Sequence, residues 1–145
     1  AGRPDADPEA ALRDGRAMDA WKRMIRAQGG DPDATLPVAK ESQVITAAAD
    51  GVLVELDALA VGVAAWRLGA GRARREDVVQ AGAGVELHVK PGAVVRAGQP
   101  IMTLFTDTPD RFARAQEALT DAVTITADGS AKAGGPVVLE RITAS

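Results

Sequence analysis

Gly84-Val85-Glu86-Leu87-His88-Val89-Lys90-Pro91-Gly92-Ala93-Val94-Val95-Arg96-Ala97-Gly98-Gln99-Pro100-Ile101-Met102-Thr103-Leu104-Phe105 is the stretch that decides the fold. Its first part alternates strictly, which assigns Val85, Leu87 and Val89 to one face and Glu86, His88 and Lys90 to the other. That is the pattern of a strand in a sheet with one solvated side. Pro91-Gly92 turns the chain, and Ile101 to Phe105 supplies a second apolar run. Upstream, Val44-Ile45-Thr46 and Val52-Leu53-Val54 are further short strand candidates, and the texture begins at Glu41.

Two helices are expected among these strands. Leu59, Gly62, Val63 and Trp66 follow helical spacing, with Asp57 placed as N-cap and small residues suited to close packing on a sheet. Gly69 ends that helix. Thr108-Pro109-Asp110 begins another, with a hydroxyl cap and proline at the first helical position, and Phe112, Ala115, Leu119 and Ala122 form its apolar face. Val123-Thr124-Ile125, a Gly134-Gly135-Pro136 turn region and a last strand from Val137 to Ile142 complete the chain. Strands outnumber helices, and the fold class expected is α+β.

The N-terminal part has another texture. Pro8 to Gln28 reads as one helix with Ala17, Trp21, Met24, Ile25 and Gln28 on one face and Leu12 off it. Gly29-Gly30-Asp31-Pro32 stops it, and the proline-bearing segment that follows, up to Lys40, reads as a linker. The division expected is therefore 1–33 as a helical piece, 34–40 as linker and 41–145 as the main domain. An isolated amphipathic helix has nowhere to bury Trp21 and Met24, which is the first sign of a chain cut from a larger protein.

At 145 residues there is room for one domain, or one domain plus an attached piece. A net charge of -3 gives no basic field for nucleic acid. Aromatics are limited to Trp21, Trp66, Phe105 and Phe112, too few for a base-stacking platform. The absence of cysteine excludes disulfides, thiolate metal sites and a cysteine nucleophile. No apolar run has the length of a membrane span and the N-terminal residues lack a secretion signal, so a soluble, cytoplasmic protein without membrane or nucleic-acid partners is expected.

Three groups invite chemistry. In Gly69-Ala70-Gly71-Arg72-Ala73-Arg74-Arg75 the glycines let backbone N–H groups converge on an anion and the arginines add charge. The spacing matches neither the dinucleotide fingerprint nor the Walker loop, and a helix cap followed by solvated arginines is the favoured reading. His88, the only histidine, sits between Glu86 and Lys90 on the polar face and reads as a surface residue, with no triad or metal partners at defined spacing. Glu76-Asp77 reads as a pair of loop charges, an N-cap or a salt bridge to Arg72 or Arg75.

Gly51-Val52-Leu53-Val54 and Gly92 through Ile101 resemble the flattened β-domain of biotinyl and lipoyl carriers. The strand after Ile101 runs into Phe105-Thr106-Asp107-Thr108-Pro109 without the lysine that a carrier modifies. A carrier-shaped module that binds a ligand or partner is the alternative this likeness leaves open.

Gly15-Arg16-Ala17 with Gln28-Gly29-Gly30, Ala48-Ala49-Asp50-Gly51, Leu68-Gly69-Ala70-Gly71-Arg72 with Asp77, and Gly84 through Gly92 and Gly98 together resemble, in order, the C-terminal third of thymidine and pyrimidine nucleoside phosphorylases. The resemblance implies a small mixed-sheet domain of α/β-hammerhead type, barrel-sandwich-like, with two or three helices, preceded by the last helix of a larger α/β domain. It implies a homodimeric parent enzyme that uses inorganic phosphate as co-substrate, needs no cofactor, and splits pyrimidine nucleosides into base and pentose 1-phosphate. The family's phosphate loop and base-binding group lie upstream of the matched region, and no Lys-x-Ser-x-Gly-Gly occurs here. No catalytic, substrate-binding or metal-binding residue is therefore assigned. Gly69, Gly71 and Arg72 remain as a domain-closure loop, and the chain alone is expected to be inactive.

Overall fold

The computed structural model describes residues 7–128, 138 and 140–142. The chain divides into two compact units, Ala1–Leu36 and Pro37–Ser145.

In the first unit the single helix expected from Pro8 to Gln28 is two: α1 (Pro8–Arg13) and α2 (Arg16–Ala27). The break falls at Asp14-Gly15. Gly15 has φ 87°, outside the helical region, and the Asp14 carboxylate accepts hydrogen bonds from the backbone N and Nε of Arg16 at 3.1 and 2.8 Å. Asp7 caps α1 by accepting from Ala10 N at 3.0 Å. The expected stop after Gln28 is present. Gly29 N donates to Arg26 O and Gly30 N to Ile25 O at 3.0 and 2.9 Å, a Schellman closure that satisfies two orphan carbonyls. No residue of either helix is buried.

The second unit is α+β. Its strands are β1 (Glu41–Thr46), β2 (Gly51–Leu56), β3 (Gly84–Leu87), β4 (Val94–Val95), β5 (Pro100–Thr106) and β6 (Val123–Thr126). They form two antiparallel three-stranded sheets, ordered β1-β5-β3 and β4-β2-β6. In the first sheet β5 is central, and Leu104 lies opposite both Gln43 and Val85. Flanked on both edges, β5 buries Ile101, Met102, Thr103, Leu104 and Thr106. The turn expected at Pro91-Gly92 and a second one around Gly98 link the sheets. Gly92 N donates to Leu53 O, Leu53 N to Ala93 O, Gly98 N to Ala47 O and Ala47 N to Gln99 O, all between 2.7 and 2.9 Å. Val95, buried between these turns, joins Ala47, Ile101, Met102 and Leu104 in one core.

The alternation of Val85 to Val89 is only partly realised. β3 is a four-residue edge strand, and Leu87, expected inside, is 44% exposed because an edge strand is covered from one side only. Two helices complete the unit: α3 (Ala58–Ala65) and α4 (Arg111–Ala118). Asp57 caps α3 as expected, its carboxylate accepting from Ala60 N at 2.9 Å. The face is the opposite of the one expected, however. Leu59, Gly62 and Trp66 are exposed, whereas Ala64 and Leu68 are fully buried with Ala60 and Val61 packed beside them. Nearly every residue of α3 is apolar, so spacing could not select a face.

α4 buries Ala115, with Leu119 and Ala122 after it and Phe112 half-buried, as expected. Its start differs. Pro109 precedes the helix, and the Thr108 hydroxyl accepts from Gln80 Nε2 at 2.9 Å and does not cap the helix. The expected strand at Val137 to Ile142 and its preceding turn lie mostly outside the described residues; Val138, Glu140, Arg141 and Ile142 are not in strand. No described helix is long and apolar enough to cross a membrane.

Candidate functional site

After Ala65, α3 widens into one π-type turn, Trp66–Ala70, and ends where Gly69 adopts φ 116°. Gly69 is required twice over. Its φ suits glycine alone, and a Cβ there would lie 3.0 Å from the Gln80 side chain. Gly71 meets a different constraint, since a Cβ would lie 2.7 Å from Cδ1 of Trp66.

Gln80 ties the loop to β5. Its backbone N donates to Gly69 O at 2.9 Å, its Oε1 accepts from Asp107 N at 2.7 Å, and its Nε2 donates to Thr108 Oγ1. The fully buried Thr106 hydroxyl has one hydrogen, shared between Leu68 O at 2.7 Å and Gln80 Oε1 at 3.0 Å. Thr108 N donates back to Thr106 Oγ1 at 3.2 Å. Every partner in this network is held by another, which fixes the loop entrance against the sheet.

Beside the network lies an open cleft of about 480 Å³, lined by Trp66, Arg67, Gly71, Ala73, Asp77, Val78, Gln80, Arg111 and Arg114. Arg67 crosses to α4, donating through Nη1 to Arg114 O and lying 3.5 Å from Glu117 Oε2. Arg111 Nη1 in turn donates to Arg67 O at 3.4 Å.

Of the residues singled out in the sequence, Gly71 lines this cleft and Gly69 is buried at the end of the helix, while Arg72, Arg74 and Arg75 are exposed and form no ion pair among the described residues. The favoured reading of the loop, a helix end followed by solvated arginines, describes what is seen. Asp77 neither caps a helix nor pairs with Arg72 or Arg75: its Oδ2 accepts from Ala73 N and Arg74 N at 3.0 and 2.8 Å and closes the loop. His88 is exposed as expected, with Nε2 2.7 Å from Thr103 Oγ1. No group of three or more histidine or carboxylate side chains among the described residues is placed to hold a metal ion.

Sequence reasoning missed Gln80, Thr106, Arg67 and Arg111. Gln80 stands alone in a loop and carries no motif. The arginines come from two helices 44 residues apart, and only their i to i+3 spacing on α4, Arg111 with Arg114, was visible as a shared face.

A family profile described as Pyrimidine nucleoside phosphorylase C-terminal domain matches residues 52–126. Among curated proteins, the thymidine phosphorylase of Mycobacterium tuberculosis is 50% identical over 113 residues, covering 78% of this chain and 26% of that protein. The pyrimidine-nucleoside phosphorylase of Geobacillus stearothermophilus is 38% identical over 104 residues, covering 68% and 24%. The human thymidine phosphorylase is 33% identical over 130 residues, covering 80% and 27%. The chain thus spans about a quarter of the length of the curated relatives it matches.

Proposed function

This chain belongs to the pyrimidine nucleoside phosphorylase C-terminal domain family, and from that premise we propose that it serves as the C-terminal part of an enzyme that cleaves pyrimidine nucleosides with inorganic phosphate. One observation carries the reading: the family match runs from β2 through β6 and takes in α3, the glycine loop and α4, while the aligned part makes up only about a quarter of each relative. The reaction of the parent enzyme is reversible transfer of the pentose from base to phosphate. Phosphate attacks C1′ as the bond to the base breaks, and the bonding electrons leave with the base. Catalysis then rests on holding phosphate in line and stabilising charge on the departing base.

No catalytic or substrate-binding residue is assigned to this chain, whose part in the parent enzyme is structural and which is inactive by itself. Helices α1 and α2 belong to the end of the larger domain, whose remaining surface covers Trp21 and Met24. The loop at Gly69, Gly71 and Arg72 lies at the edge where the domains close, anchored on one side by Gln80 and free on the other at Arg72. The parent is a cytoplasmic homodimer that needs no cofactor beyond its co-substrate phosphate.

The test compares this 145-residue chain with the protein encoded by the whole reading frame, each mixed with phosphate and with thymidine or uridine. Free thymine should accumulate only with the longer protein. Turnover by the chain at the longer protein's rate overturns the assignment of the chemistry upstream, and no thymine or uracil from either overturns the family activity. A Gly69→Ala variant of the longer protein should change kcat and KM together, as a closure residue does; a change in neither removes the loop from closure.

A further inference from the structure

The cleft between the π turn and α4 carries an excess of positive charge that the loop arginines noted from the sequence do not contribute. Arg67, Arg111 and Arg114 all line it, and neither Arg111 nor Arg114 has an ion-pair partner among the described residues. Two carboxylates lie nearby against these three arginines, and each already has partners. Asp77 spends an oxygen on two backbone N–H groups, and Glu117 lies 3.5 Å from Arg67. Arg67 has a further mark: its Nε is buried and donates to nothing among the described residues. A buried guanidinium N–H left unpaired costs free energy that an added acceptor recovers.

The second wall is Trp66, 41% exposed, its edge set against Gly71 where no side chain fits between. An aromatic ring held beside forked cationic donors recognises a planar ring that carries an oxyanion. The ring stacks on indole while phosphate oxygens take paired N–H donors from arginine. The volume of about 480 Å³ is in the range of small-molecule sites.

The geometry points to a binding site for a nucleoside monophosphate in this cleft, with the phosphate on Arg111 and Arg114, supported by Arg67, and the base against Trp66. The site lies wholly within the second unit and does not depend on the reaction proposed for the parent enzyme.

The experiment is a titration of the ¹⁵N-labelled 145-residue chain with adenosine 5′-monophosphate, ribose 5-phosphate, adenosine and inorganic phosphate, followed by two-dimensional amide spectra. The Trp66 indole N–H, Gly71 and the Arg111 and Arg114 resonances should shift saturably with the nucleotide, while the Trp21 indole N–H stays still. Phosphate, ribose 5-phosphate and adenosine should each bind about tenfold more weakly, and Arg111→Gln with Arg114→Gln should weaken the nucleotide about tenfold or more. Equal binding of phosphate and nucleotide overturns the role of Trp66, and equal affinity in the double variant overturns the phosphate site. No saturable shift up to about 5 mM nucleotide overturns the whole assignment. Arg114 is exposed, whereas Arg111 is half-buried and donates to Arg67 O, so an unchanged spectrum of the β5 amides in each single variant verifies that the fold is kept.

Discussion

Helices α2 and α3 contrast sharply. α2 gathers its apolar residues on one side and its charges on the other, yet buries none of them, and Trp21 and Met24 remain 44% and 48% exposed. α3 has no polar face to speak of, yet Ala64 is fully buried, as is Leu68 in the turn after it. An amphipathic pattern records that a covering surface is expected; burial requires that the surface be there. For α3 the cover is α4 and β3, and β5 packs against the turn that holds Leu68. For α2 the cover proposed above is the larger part of the enzyme. Burial of a leucine-sized side chain stabilises by about 2 kcal/mol, a gain open to α3 and withheld from α2 in this chain.

The largest effect that would break this comparison belongs to Leu68. Leu68→Ala should cost about 3 kcal/mol in urea unfolding, because a fully enclosed leucine leaves a cavity, while Leu59→Ala, 77% exposed in the first turn of α3, should change little. Equal losses at the two positions would mean that the buried face of α3 is misassigned. Next in size, Gly69→Ala forces a positive φ on a side chain that also meets Gln80, and a loss of about 2 kcal/mol by thermal unfolding is expected. Recovery of part of that loss in Gly69→Asn, which tolerates the conformation better, would separate backbone strain from contact with Gln80.

Asp57→Ala removes the acceptor for Ala60 N and should cost about 1 kcal/mol, an effect local to the start of α3 and visible in amide exchange there. The smallest effect sharpens the contrast most. Trp21→Ala should shift the stability of this chain by about 0.5 kcal/mol or less, but that of the whole enzyme by about 2 kcal/mol or more. A negligible loss in both would leave the apolar face of α2 without a partner and undo the reading that the larger domain covers it.

Much of the fold was legible because its signals are local. The apolar runs of β2 and β5, the turn at Pro91-Gly92, the cap at Asp57 and the stop at Gly29-Gly30 each depend on a few adjacent residues and are present in the structure. The misreadings share a cause. Gly15 split a helix because a single φ outweighed the periodicity around it, and the face of α3 was wrong because its apolar residues surround the axis. Thr108 was read as a cap when Gln80, 28 residues away, claimed its hydroxyl. Of the candidate site, Gly69 and Gly71 were visible as glycines, but the reasons for them, Gln80 and Trp66 pressing on their Cα atoms, were not.

By itself the sequence determined the α+β class, most strand positions between Glu41 and Ile125, and a likeness to the phosphorylase family, since hydrophobic period and glycine placement act over a few residues and survive without knowledge of their neighbours. Only the tertiary structure decided which side of α3 is inside, which hydroxyl Gln80 binds and which arginines share a cleft. Those outcomes depend on surfaces brought together from distant segments, where burial and hydrogen-bond competition are settled by what stands opposite and not by what comes next in the chain.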